Sequence, residues 1–316
     1  MSRPLLEVLD AGLQTTIQAG PRRGLRHVGV PSCGPADPLS FALANRAVGN
    51  ALDAPGLEVT LTGASFRALT DAVVAVTGAP CSVNMGDVSA AMHAPLAVRS
   101  GQTFKLGPAT AGCRTYLAVA GGLEASVAFG SASTYLPAAL GGLGGRALRP
   151  GDWLSGRDAQ ARDPGPTPRA LRQHFGGAIA LRAVIGPEAG VLDPDGLAAL
   201  FCDGWRVDPA SDRVGVRLAG PVLAATGDGR MDSAATFPGM VQLPPGGGPI
   251  VLGADGGTTG GYPRVAQVVR ADRHLIGQAS PGAPLRLLRW TPEHADGVLK
   301  EKTRLLRSWL GEDFSL

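Results

Sequence analysis

Gly56-Leu57-Glu58-Val59-Thr60-Leu61 alternates its side chains, with Leu57, Val59 and Leu61 on one face and Glu58 and Thr60 on the other. A period of two marks a strand buried on one side. Thr103-Phe104-Lys105-Leu106, Thr115-Tyr116-Leu117-Ala118-Val119 and Arg213-Val214-Gly215-Val216-Arg217-Leu218 repeat it. Ala72 to Val76 and Ile250 to Leu252 are continuous apolar runs, as strands covered on both faces require. Glycine or proline closes nearly every run. The 46 glycines and 26 prolines among 316 residues exceed ordinary usage, without the three-residue period of collagen. Short strands punctuated this often predict a mainly β protein of barrels or sandwiches.

Three segments read as helices instead. Asp37-Pro38 and Asp193-Pro194 each supply an N-cap followed by a proline at the first helical position. Leu39, Leu43 and Ala47 then share a face in the first, and Leu197, Leu200 and Phe201 in the second. Thr291-Pro292 opens a third, whose stripe of Val298, Leu299, Leu305, Leu306 and Trp309 needs a surface to dock on. The proline-rich stretch Asp163-Pro164-Gly165-Pro166-Thr167-Pro168 reads as an inter-domain linker. The expected division is 1–160, a linker over 161–177, a second domain over 178–290 and a helical tail over 291–316.

Composition narrows the function classes. Charged residues are only 17% of the chain and the formal net charge is +3, spread without a basic block, so no footprint for nucleic acid or membrane is visible. The uncharged stretch Ala125 to Gly145 is broken by serines, Pro137 and glycines and does not read as a lipid-facing helix. Met1-Ser2-Arg3-Pro4 does not open a signal peptide. A cytoplasmic, soluble protein is expected. Cys33, Cys81, Cys113 and Cys202 are widely spaced and the five histidines are scattered, which predicts neither a disulfide framework nor a metal site.

Several segments carry chemistry-bearing groups. Arg22-Arg23-Gly24-Leu25-Arg26-His27 sets guanidiniums beside a glycine turn, which suits phosphate or carboxylate recognition or simply an exposed basic turn. His27 is the candidate general acid or base. Cys33 is either a thiol activated near the Asp37 helix or a small buried residue. Gly141-Gly142-Leu143-Gly144-Gly145-Arg146 allows backbone amides to approach an anion, yet lacks the lysine and hydroxyl of a Walker loop. Asp255-Gly256-Gly257-Thr258-Thr259-Gly260-Gly261-Tyr262-Pro263 follows a buried run and gathers one carboxylate, two hydroxyls and an aromatic ring at a strand end. Arg213 and Arg217 are expected on one strand face, to meet an anion or solvent.

These segments in order resemble the carboxyltransferase subdomain A/B family, which includes the C subunit of 5-oxoprolinase, the KipA antagonist, proteins labelled allophanate hydrolase subunit 2, and a region of urea carboxylase. The resemblance rests on Thr16-Ile17-Gln18, Arg26-His27, Gly29-Val30-Pro31, Asp37-Pro38, Leu57-Glu58-Val59-Thr60, Tyr116-Leu117-Ala118-Val119-Ala120-Gly121-Gly122 and Ser133-Thr134-Tyr135. It continues through Gly141 to Leu148, Ser211-Asp212-Arg213, Gln242, Pro249-Ile250-Val251-Leu252 and Thr258 to Pro263, covering roughly residues 5 to 290. It implies two cyclophilin-like β-barrel domains with a few short helices. It also implies one component of an ATP-dependent lactam hydrolase that opens 5-oxoproline to glutamate, working with two other subunits, one KipI-like and one of the LamB/YcsF type. ATP with Mg would act at the level of that complex. The alternatives within the family are a biotin-dependent carboxyltransferase component, needing a separate biotin carrier, and a non-catalytic KipA-type regulatory module. The site so implied contains His27 and Asp255 as catalytic groups, with Arg26, Gln242, Thr258, Thr259 and Tyr262 holding substrate or nucleotide. The chain departs from the family pattern at Ala19, Cys33, Ala132, Ala234, Gly256 and Gly257, where charged or hydrogen-bonding groups are usual.

Overall fold

The computed structural model describes residues 2–157, 165–202 and 204–316. It divides into two compact units, one of residues 1–22, 33–175 and 309–312 and one of residues 23–32, 176–308 and 313–316. Both are mainly β. Residues 158–164, the last of which (161–164) open the expected linker, lie outside the described set. Residues 165–175 belong with the first unit. There Thr167 N–H donates to His93 O (2.8 Å), and Gln173 Nε2 donates to both Asp37 carboxylate oxygens (3.2 and 3.0 Å).

The first unit is a pair of sheets rather than a closed barrel. A six-stranded sheet runs in the order Trp153–Arg157, Ser2–Asp10, Ala64–Ala68, Thr103–Leu106, Val83–Met85, Val88–Ala90. A five-stranded sheet runs Gln14–Gln18, Gly56–Thr60, Arg114–Val119, Ala72–Gly78, Pro95–Val98. Their facing residues make one core, among them Leu6, Ile17, Leu57, Phe66, Val76, Phe104 and Leu117. Thr103–Leu106 keeps the expected alternation, with Phe104 and Leu106 inward.

Gly56–Thr60 does not behave as a half-solvated strand, because all five residues are buried. Its outer face is covered by α1, Pro38–Ala47, and Leu61 has already left the strand at φ 57°. Asp37 caps α1 as its sequence predicts, with its carboxylate accepting from Ser40 N–H at 2.9 Å. Phe41, Ala44 and Ala47 of α1 then pack on Ala75, Tyr116 and Ala118. Glu58 and Tyr116 therefore meet between helix and sheet. The Tyr116 hydroxyl donates to Glu58 Oε2 (2.9 Å) and accepts from Asp37 N–H (2.7 Å). Burial, then the charges of Glu58 and Asp37, holds the phenol well above its ordinary range.

The second unit is a closed barrel of seven strands, in the order Ile179–Ile185, Arg264–Val268, Met240–Gln242, Ile250–Leu252, Gly215–Ala219, Trp205–Val207, Pro284–Arg289. Parallel pairing of the last strand with the first closes it. Leu181, Ala183, Val207, Leu218, Val241, Val251 and Leu287 fill the interior. The helix α2, Pro194–Leu200, is capped by Asp193 and held by Trp205 Nε1 donating to Leu200 O (3.1 Å). The third helix, α3, spans Pro292–Leu310. Of its expected stripe Leu306 is buried, but Leu305 is 52% exposed and Leu310 takes the inward place. No helix among the described residues is long and apolar enough to cross a membrane.

Two measurements test these packing arguments. Tyr116→Phe leaves a buried carboxylate oxygen and a buried N–H short of a partner, and should cost about 1–3 kcal/mol in urea unfolding. An unchanged midpoint would remove the hydroxyl from the account. His93 sits at φ 63°, and burial, followed by the Arg172 charge, pushes its ring down from 6.5 to about 4. The neutral ring therefore contributes stability above the unfolded value of 6.5 that is lost as the pH falls through about 4. His93→Asn, which tolerates positive φ, should flatten the acid decline of the urea midpoint. His274, also depressed by burial, keeps part of that slope in the variant.

Candidate functional site

All seven residues expected at the site lie in the second unit, since residues 23–32 belong with it. A short ribbon organises them. Ala234–Ala235 pairs antiparallel with Thr259–Gly260, and Thr236 N–H donates to Thr258 O (3.0 Å) to extend the pairing. Arg26, on the short 3-10 turn Arg26–Val28, ties the two sides of this ribbon at its base. Its Nη2 donates to Thr236 O (2.5 Å) and to Gly257 O (2.9 Å). Thr236 Oγ1 also donates to Gly257 O (2.7 Å), and the Arg26 guanidinium carbon stands 5.5 Å from the centroid of the Phe237 ring. A guanidinium over an aromatic face gains from the ring quadrupole.

Asp255 is buried and gripped by an arginine. Arg213 Nε meets Oδ2 at 2.8 Å and Nη2 meets Oδ1 at 2.9 Å, a bidentate pair with both side chains nearly inaccessible. Asp255 N–H donates back to Arg213 O (3.0 Å). Both carboxylate oxygens thus face the guanidinium, and the pair fixes the start of the 255–262 loop. Arg213 and Arg217 do not share a strand face. The strand begins only at Gly215, after Asp212 Oδ1 has accepted from Val214 and Gly215 N–H groups (2.8 and 3.0 Å). That side-chain turn rotates Arg213 inward while Arg217 stays exposed.

Gln242 brings a different property. It ends the strand Met240–Gln242 and is 6% exposed, and its Nε2 has no hydrogen-bond partner among the described residues. A Cβ on Gly260 would stand 2.5 Å from that nitrogen, so the glycine makes room for the amide. Thr258 is half-buried, while Thr259, at the ribbon edge, and Tyr262, 39% exposed, reach solvent. His27 is exposed beside Arg26. The structure gathers Arg26, Gln242, Asp255 and the two threonines around one ribbon. The sequence reading missed Thr236 and Phe237, which touch Arg26, and the partnership of Arg213 with Asp255. Opposite charges at the two ends of one motif-bearing region were the available signal for the last.

Among the described residues no group of three or more histidine, cysteine, aspartate or glutamate side chains could hold a metal ion.

The profile of the carboxyltransferase domain, subdomain A and B, matches residues 28–289. The chain belongs to this family. Among its carboxyltransferase relatives, the C subunit of 5-oxoprolinase from Escherichia coli is 37% identical over 304 residues, covering 95% of this chain and 96% of that one. The C subunit of 5-oxoprolinase from Haemophilus influenzae is 34% identical, covering 89% and 90%. The Kluyveromyces lactis urea amidolyase structure superimposes with a TM-score of 0.90 at 30% identity, covering 97% of this chain but only 20% of the larger enzyme. The chain is thus similar to a whole subunit in one kind of relative and to about a fifth of the other.

The Arg213–Asp255 pair is directly testable. Arg213→Met strands a buried carboxylate and should cost about 3–5 kcal/mol in denaturant unfolding. Replacing both partners with apolar residues should recover most of that loss. A double variant no more stable than the single one would deny the coupling.

Proposed function

We propose that this chain is the C-type component of an ATP-dependent 5-oxoprolinase-type lactam hydrolase, which converts 5-oxoproline to glutamate together with two further subunits, one KipI-like and one of the LamB/YcsF type. The observation that carries this reading is the end-to-end match with the 5-oxoprolinase C subunit, 95% of one chain against 96% of the other.

A lactam presents a carbonyl oxygen and, in 5-oxoproline, a carboxylate. Gln242 Nε2 is a buried donor without a partner, the group that rewards binding of such an oxygen because leaving it unmet is costly. Arg26 supplies fixed positive charge at the ribbon base, and Thr258 and Thr259 supply hydroxyls above it. His27, exposed next to Arg26, is the acid–base group closest in sequence to that charge. Asp255 is a positioning group, since Arg213 engages both its oxygens. The site carboxylate, Asp255, is committed to Arg213 through both oxygens and so is not free to hold the magnesium of Mg–ATP. The nucleotide therefore belongs to the complex, and this chain contributes recognition of the ring.

A second reading, a biotin-dependent carboxyltransferase component, is favoured by the TM-score of 0.90 against urea amidolyase. Under that reading the sequence corresponds to about one fifth of the larger enzyme. A KipA-type regulatory module without chemistry is the remaining alternative.

Reconstitution separates them. The chain is purified with the KipI-like and LamB/YcsF-type subunits, and glutamate release from 5-oxoproline is measured with and without ATP. Turnover should need all three chains and ATP. Gln242→Ala should lower kcat/KM by about tenfold or more with the circular dichroism spectrum unchanged. ATP-independent silence of the full mixture, with transfer from a carboxybiotin carrier instead, would replace the first reading by the second. Silence in both assays would leave the regulatory module.

A further inference from the structure

Two sequence segments that each suit an anion, Arg22 and the glycine run from Gly141 to Gly145, meet in the first unit, at residues the proposed function does not use. Arg22 is 1% exposed. Its Nε donates to Ala128 O (3.1 Å) and its Nη2 to Ser133 O (2.6 Å), while Nη1 has no hydrogen-bond partner. No carboxylate among the described residues pairs with it. The nearby hydroxyls are already committed as donors: Ser131 Oγ to Gly20 O (2.5 Å), Ser133 Oγ to Ala19 O (2.7 Å) and Thr134 Oγ1 to Ile17 O (2.8 Å). The flanking Ala19 and Ala132 are buried methyl groups. A full positive charge is thus enclosed with neutral oxygens alone.

That arrangement is expensive unless something answers the charge. Burying an ion costs several kcal/mol even after relaxation, and a guanidinium cannot shed its proton as a buried lysine can. The glycine loop is shaped around the same group. Gly141, Gly142, Gly144 and Gly145 hold φ of 67°, 56°, 62° and 69°. A Cβ on Gly141 would lie 2.2 Å from Ser133 O and 2.9 Å from Arg22 Nη2. Only a backbone without side chains passes this close to the guanidinium; Gly142 N–H and Gly145 N–H are spent on Ala132 O (2.9 Å) and Gly141 O (2.7 Å), which leaves Gly141, Leu143 and Gly144 as the loop's candidate amide donors to an anion.

We propose that the first unit binds a small monovalent anion, of the size of formate or chloride, at Nη1 of Arg22, on the guanidinium whose Nη2 the Gly141 backbone approaches. The carboxylate or halide supplies the counter-charge that the chain omits, and locks the loop to the strand Gln14–Gln18 through Arg22. This site stands apart from the activity proposed above, so failure of either leaves the other intact.

Isothermal titration of the full chain with sodium formate and, separately, sodium chloride, at constant ionic strength in a buffer of bulky anions, tests it. Saturable binding at one site per chain is expected. Arg22→Met should abolish it. Arg22→Lys, which keeps the charge but loses the planar fork, should weaken it by about tenfold. Arg217→Met removes the same charge from an exposed position of the second unit and should change nothing. Absence of saturable binding for both salts overturns the proposal, as does equal weakening by Arg217→Met. Should Arg22→Met fail to fold, an unchanged affinity in Arg22→Lys overturns it as well.

Discussion

The carboxylate of Glu58 organises the first unit. It lies on a strand whose two faces are both covered, and it accepts from the Tyr116 hydroxyl and from Ala36 N–H (2.8 Å), with Arg114 Nε 3.3 Å away. The donors come from two places: the neighbouring strand contributes Tyr116 and Arg114, and the chain entering α1 contributes Ala36. The Tyr116 oxygen then passes the connection on to Asp37, which caps the helix. A buried charge of this kind is tolerated only when several donors converge on it. Helix entry, strand register and tyrosine rotamer are therefore set together, because moving any one leaves the carboxylate short.

The second unit depends on closure instead. A barrel has no free edge, so its strands need no protective charges and its loops can be given to recognition. The Arg213–Asp255 pair and the Arg26 contacts anchor one such set of loops at the strand ends. Both are arginines binding oxygen atoms of loops, a use of the rigid guanidinium fork that holds backbone in place without a regular ladder. The ribbon Ala234–Ala235 with Thr259–Gly260 is too short to be stable alone, and Arg26 and Thr236 supply bonds that fix its base.

Much of this was readable in advance. Strands at Gly56–Thr60, Arg114–Val119 and Thr103–Leu106 follow from alternation, and the caps at Asp37 and Asp193 from the Asp-Pro pairs. The expected division puts Arg26 with residues 1–160, whereas residues 23–32 belong with the second unit, beside Gln242, Asp255 and the threonines. Less legible was what each group touches. Glu58 reads as a solvent-facing residue because a single strand carries no sign that a helix will cover it. Arg22 reads as part of an exposed basic turn, yet it is enclosed. Leu305 fits a helical stripe by spacing and still faces solvent, while Leu306 and Leu310 are the leucines of α3 that are buried.

What the sequence by itself determined is local: periodicity chooses strand or helix, Asp-Pro pairs start helices, and glycines mark where the backbone needs positive φ. These depend on sterics and hydrogen bonds within a few residues, so they are written in consecutive letters. The tertiary structure alone decided which charges are answered. Arg213 finds Asp255 across 42 positions, Tyr116 finds Glu58 across 58, and Arg22 reaches Ser133 across 111 without meeting a carboxylate. Partnership at such separations is set by sheet register and by how closely glycine lets two backbones approach, and those distances exist only once the core has formed.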